Sequence, residues 1–230
     1  MKNALVKQLQ IMELPLSEEV CDRLCAFGTA VVKQNEVMNL TAITEPSAVA
    51  KLHLADSVSL LKCVDLKGKT LIDVGCGAGF PGVPVKIACP EVKLTLLDSL
   101  GKRVSWLQSI LPQLGVEATC VTARAEEAVV KCREQYDFAS SRAVARLNVL
   151  LELTAPFVKV GGAVLAMKGS AAEEELKEAK NAMEKLGLKL ETVTHFDIDG
   201  ADHAVIVLRK VKPTPALYPR RFAKIKQFPL

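Results

Sequence analysis

Residues 69–82, KTLIDVGCGAGFPG, carry a short apolar segment through Asp73 into a loop with glycines at 75, 77, 79 and 82. The nearly unbroken apolar character of TLIDV is the pattern of a central parallel strand covered by helices on both faces. Parallel strands need long crossovers, so the chain around this one must alternate strands with helices. Glycine lacks a Cβ, so the loop can turn with φ > 0 and lie directly against a ligand. Open α/β sheets bind their ligands at this carboxyl end of the strand.

Two nucleotide-type ligands compete for the loop. Gly77-Ala78-Gly79-Phe80-Pro81-Gly82 fits G-x-G-x-x-G, and Asp98 follows at about the ~20-residue distance of a dinucleotide fingerprint. Against a dinucleotide, Asp73 puts a carboxylate where a pyrophosphate would seek positive potential. S-adenosylmethionine carries a sulfonium and an ammonium but no phosphate, so the acid suits it. The run Asp-Val-Gly-x-Gly-x-Gly resembles the first motif of Rossmann-like methyltransferases, in which Asp73, Gly75 and Gly77 face that cofactor.

The predicted alternation extends along the chain. KLTLLD (93–98), EATCVTA (117–123), YDFASSRA (136–143) and AVLAMKG (163–169) read as strands, the last introduced by a turn at Gly161-Gly162. GKRVSWLQSILPQLG, EEAVVKCREQ and NVLLELTAPFV read as the helices between them. AAEEELKEAKNAMEKLG, with Glu and Lys three and four apart, reads as one long charged helix before two closing strands, LKLETVTHFDI and HAVIVLRKV. Residues 1–66 read as helices, one starting near Ser17 and another at Pro46 with Thr44 as its cap. The whole resembles the α/β, Rossmann-like seven-strand methyltransferase fold, whose last strand inserts antiparallel, here with an N-terminal helical extension. The expected organisation is an extension over 1–66, a cofactor domain over 67–212 and a basic tail over 213–230 packing on or near the site.

Composition narrows the setting. No run of ~18 apolar residues is available to span a membrane, and MKNALVKQLQ has no apolar signal core. Seven cysteines, at 21, 25, 63, 76, 89, 120 and 132, are an odd count without C-x-x-C spacing, which suggests neither a disulfide framework nor a zinc site. The expectation is a cytoplasmic protein. From His203 to Leu230 there are seven Lys/Arg and no Asp or Glu. Tyr218, Phe222 and Phe228 are interleaved with Arg220, Arg221, Lys224 and Lys226, combining phosphate neutralisation with rings that could stack on bases or dock the tail on the core.

NLTAITEP (39–46), HLADS (53–57), DVGCGAGFPG (73–82), LLDSLGKR (96–103), ARAEE (123–127), SRAVARL (141–147) and YPRR (218–221) recur together over nearly the whole chain. In this combination the sequence resembles the bacterial glucose-inhibited division protein B family, small-subunit (16S) ribosomal RNA guanine-N7 methyltransferases acting in the decoding-centre loop. The resemblance implies S-adenosylmethionine as cofactor, S-adenosylhomocysteine as product, and ribosomal RNA or the small subunit as partner, with a monomer as the working form. It also matches Gly75, Phe80, Ala125, Glu126 and Arg142 to cofactor-contact positions.

Each matched residue has a physical reading. Phe80 could pack on the cofactor or staple the next helix to the sheet. Asp98, at a strand end, is placed to accept from ribose hydroxyls or to cap the helix that follows. Ala125 offers a backbone N–H and Glu126 a carboxylate to the adenine edge, although Glu126 is equally a first-turn helix acid. Arg142 could position the RNA or brace Asp73 or Glu126 as an ion pair. Lys168 and Arg146 are further candidates for RNA contact. His53 and Asp56 are too few for a zinc site and read as positioning residues, and no metal is expected.

Guanine N7 carries an exposed lone pair, so methylating it needs no general base. No Asn-Pro-Pro-Tyr-like segment and no Pro-Cys pair is present. Orientation is then the main task left to the protein. The alternatives are a dehydrogenase using NAD on the same glycines and a noncatalytic RNA-binding assembly factor.

Overall fold

The structure, a computed structural model, describes residues 1–230. It opens with helices α1 (Lys2–Ile11) and α2 (Glu18–Asn35) and a third helical run, α3, over residues 46–63. Ser17 caps α2, its Oγ accepting from the Val20 N–H at 3.3 Å. The cap of α3 is Glu45 rather than Thr44: its carboxylate accepts from the N–H groups of Ser47 (2.9 Å) and Ala48 (2.6 Å). Pro46 takes the first helical position, which makes the residue directly before it the cap. The middle of α3, Val49–Ala55, is wound as a π-helix, a local widening that recurs at functional sites.

Strands and helices then alternate: β1 (Thr70–Val74), α4 (Gly82–Ala88), β2 (Lys93–Asp98), α5 (Gly101–Ile110), β3 (Thr119–Thr122), α6 (Ala125–Cys132), β4 (Tyr136–Arg142), α7 (Leu147–Thr154) and β5 (Val158–Lys168). Helices α8 (Ala172–Glu178) and α9 (Lys180–Leu186), strands β6 (Leu188–Ile198) and β7 (Ala201–Lys210) and helix α10 (Phe222–Gln227) complete it. The strands form one seven-stranded sheet in the order β3-β2-β1-β4-β5-β7-β6. All pairs are parallel except those made by β7, which runs antiparallel to β5 and β6.

Two elements differ from the sequence pattern. The expected single helix over 171–187 bends at Ala179 (ψ 2°) into α8 and α9. Ala172, Leu176, Ala182 and Leu186 stay buried along its inner side, so the bend wraps the segment around the core. The Gly161-Gly162 pair lies inside β5 instead of before it, and the register against β4 shifts between Tyr136 and Phe138. An irregularity of this kind absorbs the glycines without ending the strand.

Alternate side chains of the sheet feed two apolar layers. One face, with Leu71, Leu94, Leu96, Leu165 and Val207, packs under α1–α3 and α4 in a cluster that includes Leu5, Leu24, Phe27 and Leu54. The other, with Ile72, Val74, Val164 and Ile206, packs under α7–α9 through Leu150, Leu151 and Leu176. The N-terminal helices are therefore part of the same core as the sheet.

Candidate cofactor and acceptor site

The strand order reverses between β1 and β4, so the chain leaves their carboxyl ends toward opposite faces and opens a crevice there. A cavity of about 530 Å³ fills it, within the ~300–1,000 Å³ span of small-molecule sites. The glycine loop forms its floor, Asp98 and Leu97 one side, and Ala125, Glu126 and Arg142 the rim. Gly75 has φ +72°, and a Cβ there would stand 2.5 Å from Val144 Cγ2. Only glycine fits without moving that wall.

The loop's own hydrogen bonds decide what it can hold. The N–H groups of Gly75 and Cys76 donate to the Leu97 carbonyl (2.8 and 3.1 Å), and those of Gly79 and Phe80 donate to the Cys76 carbonyl (2.8 and 3.0 Å). Gly77 N–H donates to Asp98 (2.9 Å) and Gly82 N–H to Asp73 (2.9 Å). A pyrophosphate binds such a loop through free N–H groups, and here those of Gly75, Cys76, Gly77, Gly79, Phe80 and Gly82 are engaged internally. The floor thus suits a phosphate-free ligand.

Asp73 does not line this cavity. It is fully buried behind the loop, its oxygens accepting from Gly82 N–H and Ser140 Oγ (3.1 Å). β1–β4 register sets Asp73 beside Ser140. A Cβ on Gly82 would lie 2.9 Å from the Asp73 Oδ2, which reserves that position for glycine. Burial pushes the carboxyl up to about 7, against the opposing hydrogen bonds from Gly82 and Ser140. What it fixes directly is the shape of the loop, through Gly82.

Asp98 does face the cavity. One oxygen accepts from Gly77 N–H and the other from Leu100 N–H at 2.8 Å. Each carboxylate oxygen keeps a further lone pair for a ligand hydroxyl. Ala125 and Glu126 occupy the first turn of α6 on the opposite rim. Thr41, Arg103 and Arg124 also line the cavity and were not singled out from the sequence, and Phe222, read there as a ring for stacking or docking, lines it too. Thr41 and Arg103 lie inside the motifs NLTAITEP and LLDSLGKR, and that is the signal that could have found them.

Arg142 pairs with neither Asp73 nor Glu126. Its Nη1 donates to Asp56 Oδ2 and to the Leu52 carbonyl, both at 2.9 Å, and its guanidinium lies 5.1 Å from the Phe80 ring centroid. Asp56 Oδ1 also accepts from His203 Nδ1 at 2.9 Å. Burial alone would raise Asp56, yet the His203 hydrogen bond and the Arg142 charge outweigh it and hold the carboxyl below its usual range. The bond to Asp56 in turn raises His203. His53, presented by the π-helical turn, stacks on Phe80 with centroids 4.8 Å apart and sits 2.8 Å from Thr41 Oγ1 through Nε2. Burial and the Arg142 charge push its imidazole down to about 4, so it is neutral at pH 7. Phe80 therefore both packs under α2, against Phe27 at 5.3 Å, and walls the cavity.

A second recess of about 660 Å³ adjoins the first, lined by Leu52, Met167, Lys168, Glu175 and His203 among others. The two share His53, Arg142, Ala143 and Val144 as a common wall.

The basic residues divide into two groups. Arg146 is held by Glu174 and Glu178, Lys168 pairs with Glu175 and donates to the Ala145 carbonyl, and Arg220 pairs with the fully buried Glu152. Arg221, Lys224 and Lys226 are exposed and have no acidic partner. Tyr218 is buried and Phe222 reaches the first cavity, whereas Phe228 is 59% exposed.

Residues 20–205 match the model of the family described as GidB, rRNA small subunit methyltransferase G. The chain belongs to the GidB family. Ribosomal RNA small subunit methyltransferase G of Acetivibrio thermocellus is 44% identical over 94% of this chain and 90% of its own length. The protein of the same name from Clostridium kluyveri is 40% identical over 94% of this chain and 93% of its own. Among solved structures, a SAM-dependent methyltransferase from Aquifex aeolicus covers 79% of this chain and 97% of its own, with TM-score 0.56 at 19% identity. M. jannaschii TYW2 in complex with AdoMet covers 68% and 77%, with TM-score 0.55 at 15% identity; likeness at this level speaks for the fold. As a GidB member the chain is an S-adenosylmethionine-dependent rRNA methyltransferase, and the phosphate-averse glycine floor and the free lone pairs of Asp98 fit that cofactor. No helix is long and apolar enough to cross a membrane.

Proposed function

We propose that this GidB-family chain transfers a methyl group from S-adenosylmethionine to N7 of a guanine in the decoding-centre loop of bacterial small-subunit ribosomal RNA. The observation that carries the reading is the wall shared by the two recesses, which sets a second chamber, roomy enough for a base and lined by both apolar and charged side chains, directly beside the cofactor cavity. The bound cofactor supplies an electrophilic methyl on a sulfonium. The chain supplies orientation: Asp98 takes the ribose hydroxyls, Ala125 N–H and Glu126 take the adenine edge, and Gly75 and Gly77 let the methionine part lie on the backbone. Phe80, His53 and Arg142 form a packed, neutral-histidine wall that fixes the angle of approach.

No side chain there needs to accept a proton, because N7 attacks with its own lone pair. Effective molarities of oriented partners are worth ~7–11 kcal/mol, and holding the base in line is what this wall can do. Arg221, Lys224 and Lys226, with Arg124 on the cavity rim, offer the phosphate contacts, since their charges are not engaged by acids. Arg220, Arg146 and Lys168 act by holding the tail, α8 and the recess in place. The working unit is a single chain in the cytoplasm.

Nucleoside mapping by mass spectrometry tests the reading on small subunits from cells lacking the protein, before and after incubation with it and S-adenosylmethionine. One 7-methylguanosine appearing at one site on incubation is the expected result. An unchanged map refutes it.

A further inference from the structure

The second recess has two carboxylates in its lining, Asp56 and Glu175. Both oxygens of Asp56 are taken, one by Arg142 and one by His203. Glu175 is different. Its Oε2 accepts from the Leu147 N–H at 2.7 Å and pairs with Lys168 Nζ at 2.8 Å, and its Oε1 has no hydrogen-bond partner. Its side chain is only 14% exposed, and the protein has no side-chain polar atom that is both sealed from solvent and unpartnered. Oε1 is therefore open to solvent on a residue that lines the recess, held in place by the two contacts to its twin oxygen.

On the reading that the acceptor is a guanine methylated at N7, we infer that Glu175 is the residue that selects guanine, its Oε1 accepting the N1–H of the base. Guanine presents an N1–H donor on the edge opposite N7. Adenine presents a lone pair there, which a carboxylate repels. A base whose N1 edge meets Glu175 turns its N7 edge toward the wall the recess shares with the cofactor cavity. Ile43, Leu52, Val144 and Met167 supply apolar surface for its faces.

The carboxylate also acts on the reaction. The N7 lone pair forms the new N–C bond while the S–C bonding pair returns to sulfur, so the sulfonium becomes a neutral thioether and the purine gains one positive charge. No proton moves. As that charge spreads over the ring, the N1–H becomes a stronger donor, and its bond to Glu175 strengthens more in the transition state than in the bound substrate.

The test is Glu175→Gln, assayed on small subunits carrying either guanine or 2-aminopurine at the acceptor position; 2-aminopurine has a lone pair at N1. The amide oxygen of the variant keeps the bonds to Leu147 and Lys168, which turns its NH₂ into the place of Oε1. The expected result is unchanged S-adenosylmethionine affinity, with a lower melting temperature because the largely buried Lys168 loses its charged partner. Alongside it, kcat/KM on guanine should fall roughly 10–100-fold, the worth of a charge-assisted hydrogen bond, and the guanine over 2-aminopurine preference should shrink or invert. Glu175→Met, which can bond neither base, should erase the preference as well. Equal loss on both bases, or no loss, overturns the assignment and leaves Glu175 a positioning residue. Failure of the unaltered enzyme to form 7-methylguanosine would overturn the guanine reading and this inference together, and that control separates the two failures.

Discussion

Arg142 and Asp56, 86 residues apart, meet at 2.9 Å where the end of β4 passes α3, with side chains 15% and 6% exposed. The pair ties the helical N-terminal segment to the sheet at the point where both recesses meet. Removing one member of a buried pair leaves the other charge uncompensated, which costs about 3–5 kcal/mol. Asp56→Ala strands both Arg142 and His203, so urea denaturation should report a loss of that order. Because Arg142 also carries the Phe80 and His53 wall, cofactor affinity should fall with it.

Asp73 should leave a signature in the pH dependence of stability. Its folded value of about 7 lies above the ordinary 3.8. Between those values the folded chain keeps a proton that the unfolded chain has released, so this group's contribution to stability declines as pH rises through the window. At 1.36 kcal/mol per unit the whole decline is on the order of 4 kcal/mol. Asp73→Asn cannot ionise and keeps an oxygen for Gly82 N–H. The melting temperature of the variant relative to the unaltered chain should therefore rise steadily from pH 4 to pH 7. A constant difference would mean that Asp73 is ionised throughout.

What the sequence disclosed and what it hid follow the reach of each interaction. The cap at Ser17, the strand TLIDV and the glycine loop rest on neighbours within a few residues, and the pattern alone placed them. The partner of Asp73 on β4, 67 positions away, exists only because the β1–β4 register sets Asp73 beside Ser140. The choice of Asp56 for Arg142, and of Glu152 for Arg220 at 68 positions, is likewise a product of topology. A basic residue therefore reads the same in sequence whether its charge is free, as at Arg221, or engaged, as at Arg220.

Gly75→Ala tests the floor of the cofactor cavity. An alanine at φ +72° pays about 1–2 kcal/mol for its left-handed backbone, and its methyl must displace Val144. Val144 is partly exposed and can move, so the chain should still fold. The displaced side chain belongs to the wall common to both recesses, so calorimetry should find S-adenosylmethionine binding weakened by more than the loss in melting stability accounts for.

The division of the basic residues predicts different outcomes for charges that look alike. Each phosphate contact contributes roughly 0.7–0.9 to the slope of log K against log salt. Replacing Arg221, Lys224 and Lys226 together by Ala should lower the slope for RNA binding by about 2 while leaving the melting temperature nearly unchanged. Arg220→Ala should do the reverse. It abandons Glu152, which is 0% exposed and receives both the side chain and the backbone N–H of Arg220, so stability should fall by about 3–5 kcal/mol and the tail should loosen from α7. Filter binding across a salt series, paired with denaturation of the same variants, separates the two effects. A slope unmoved by the triple substitution would assign those three charges to solvent.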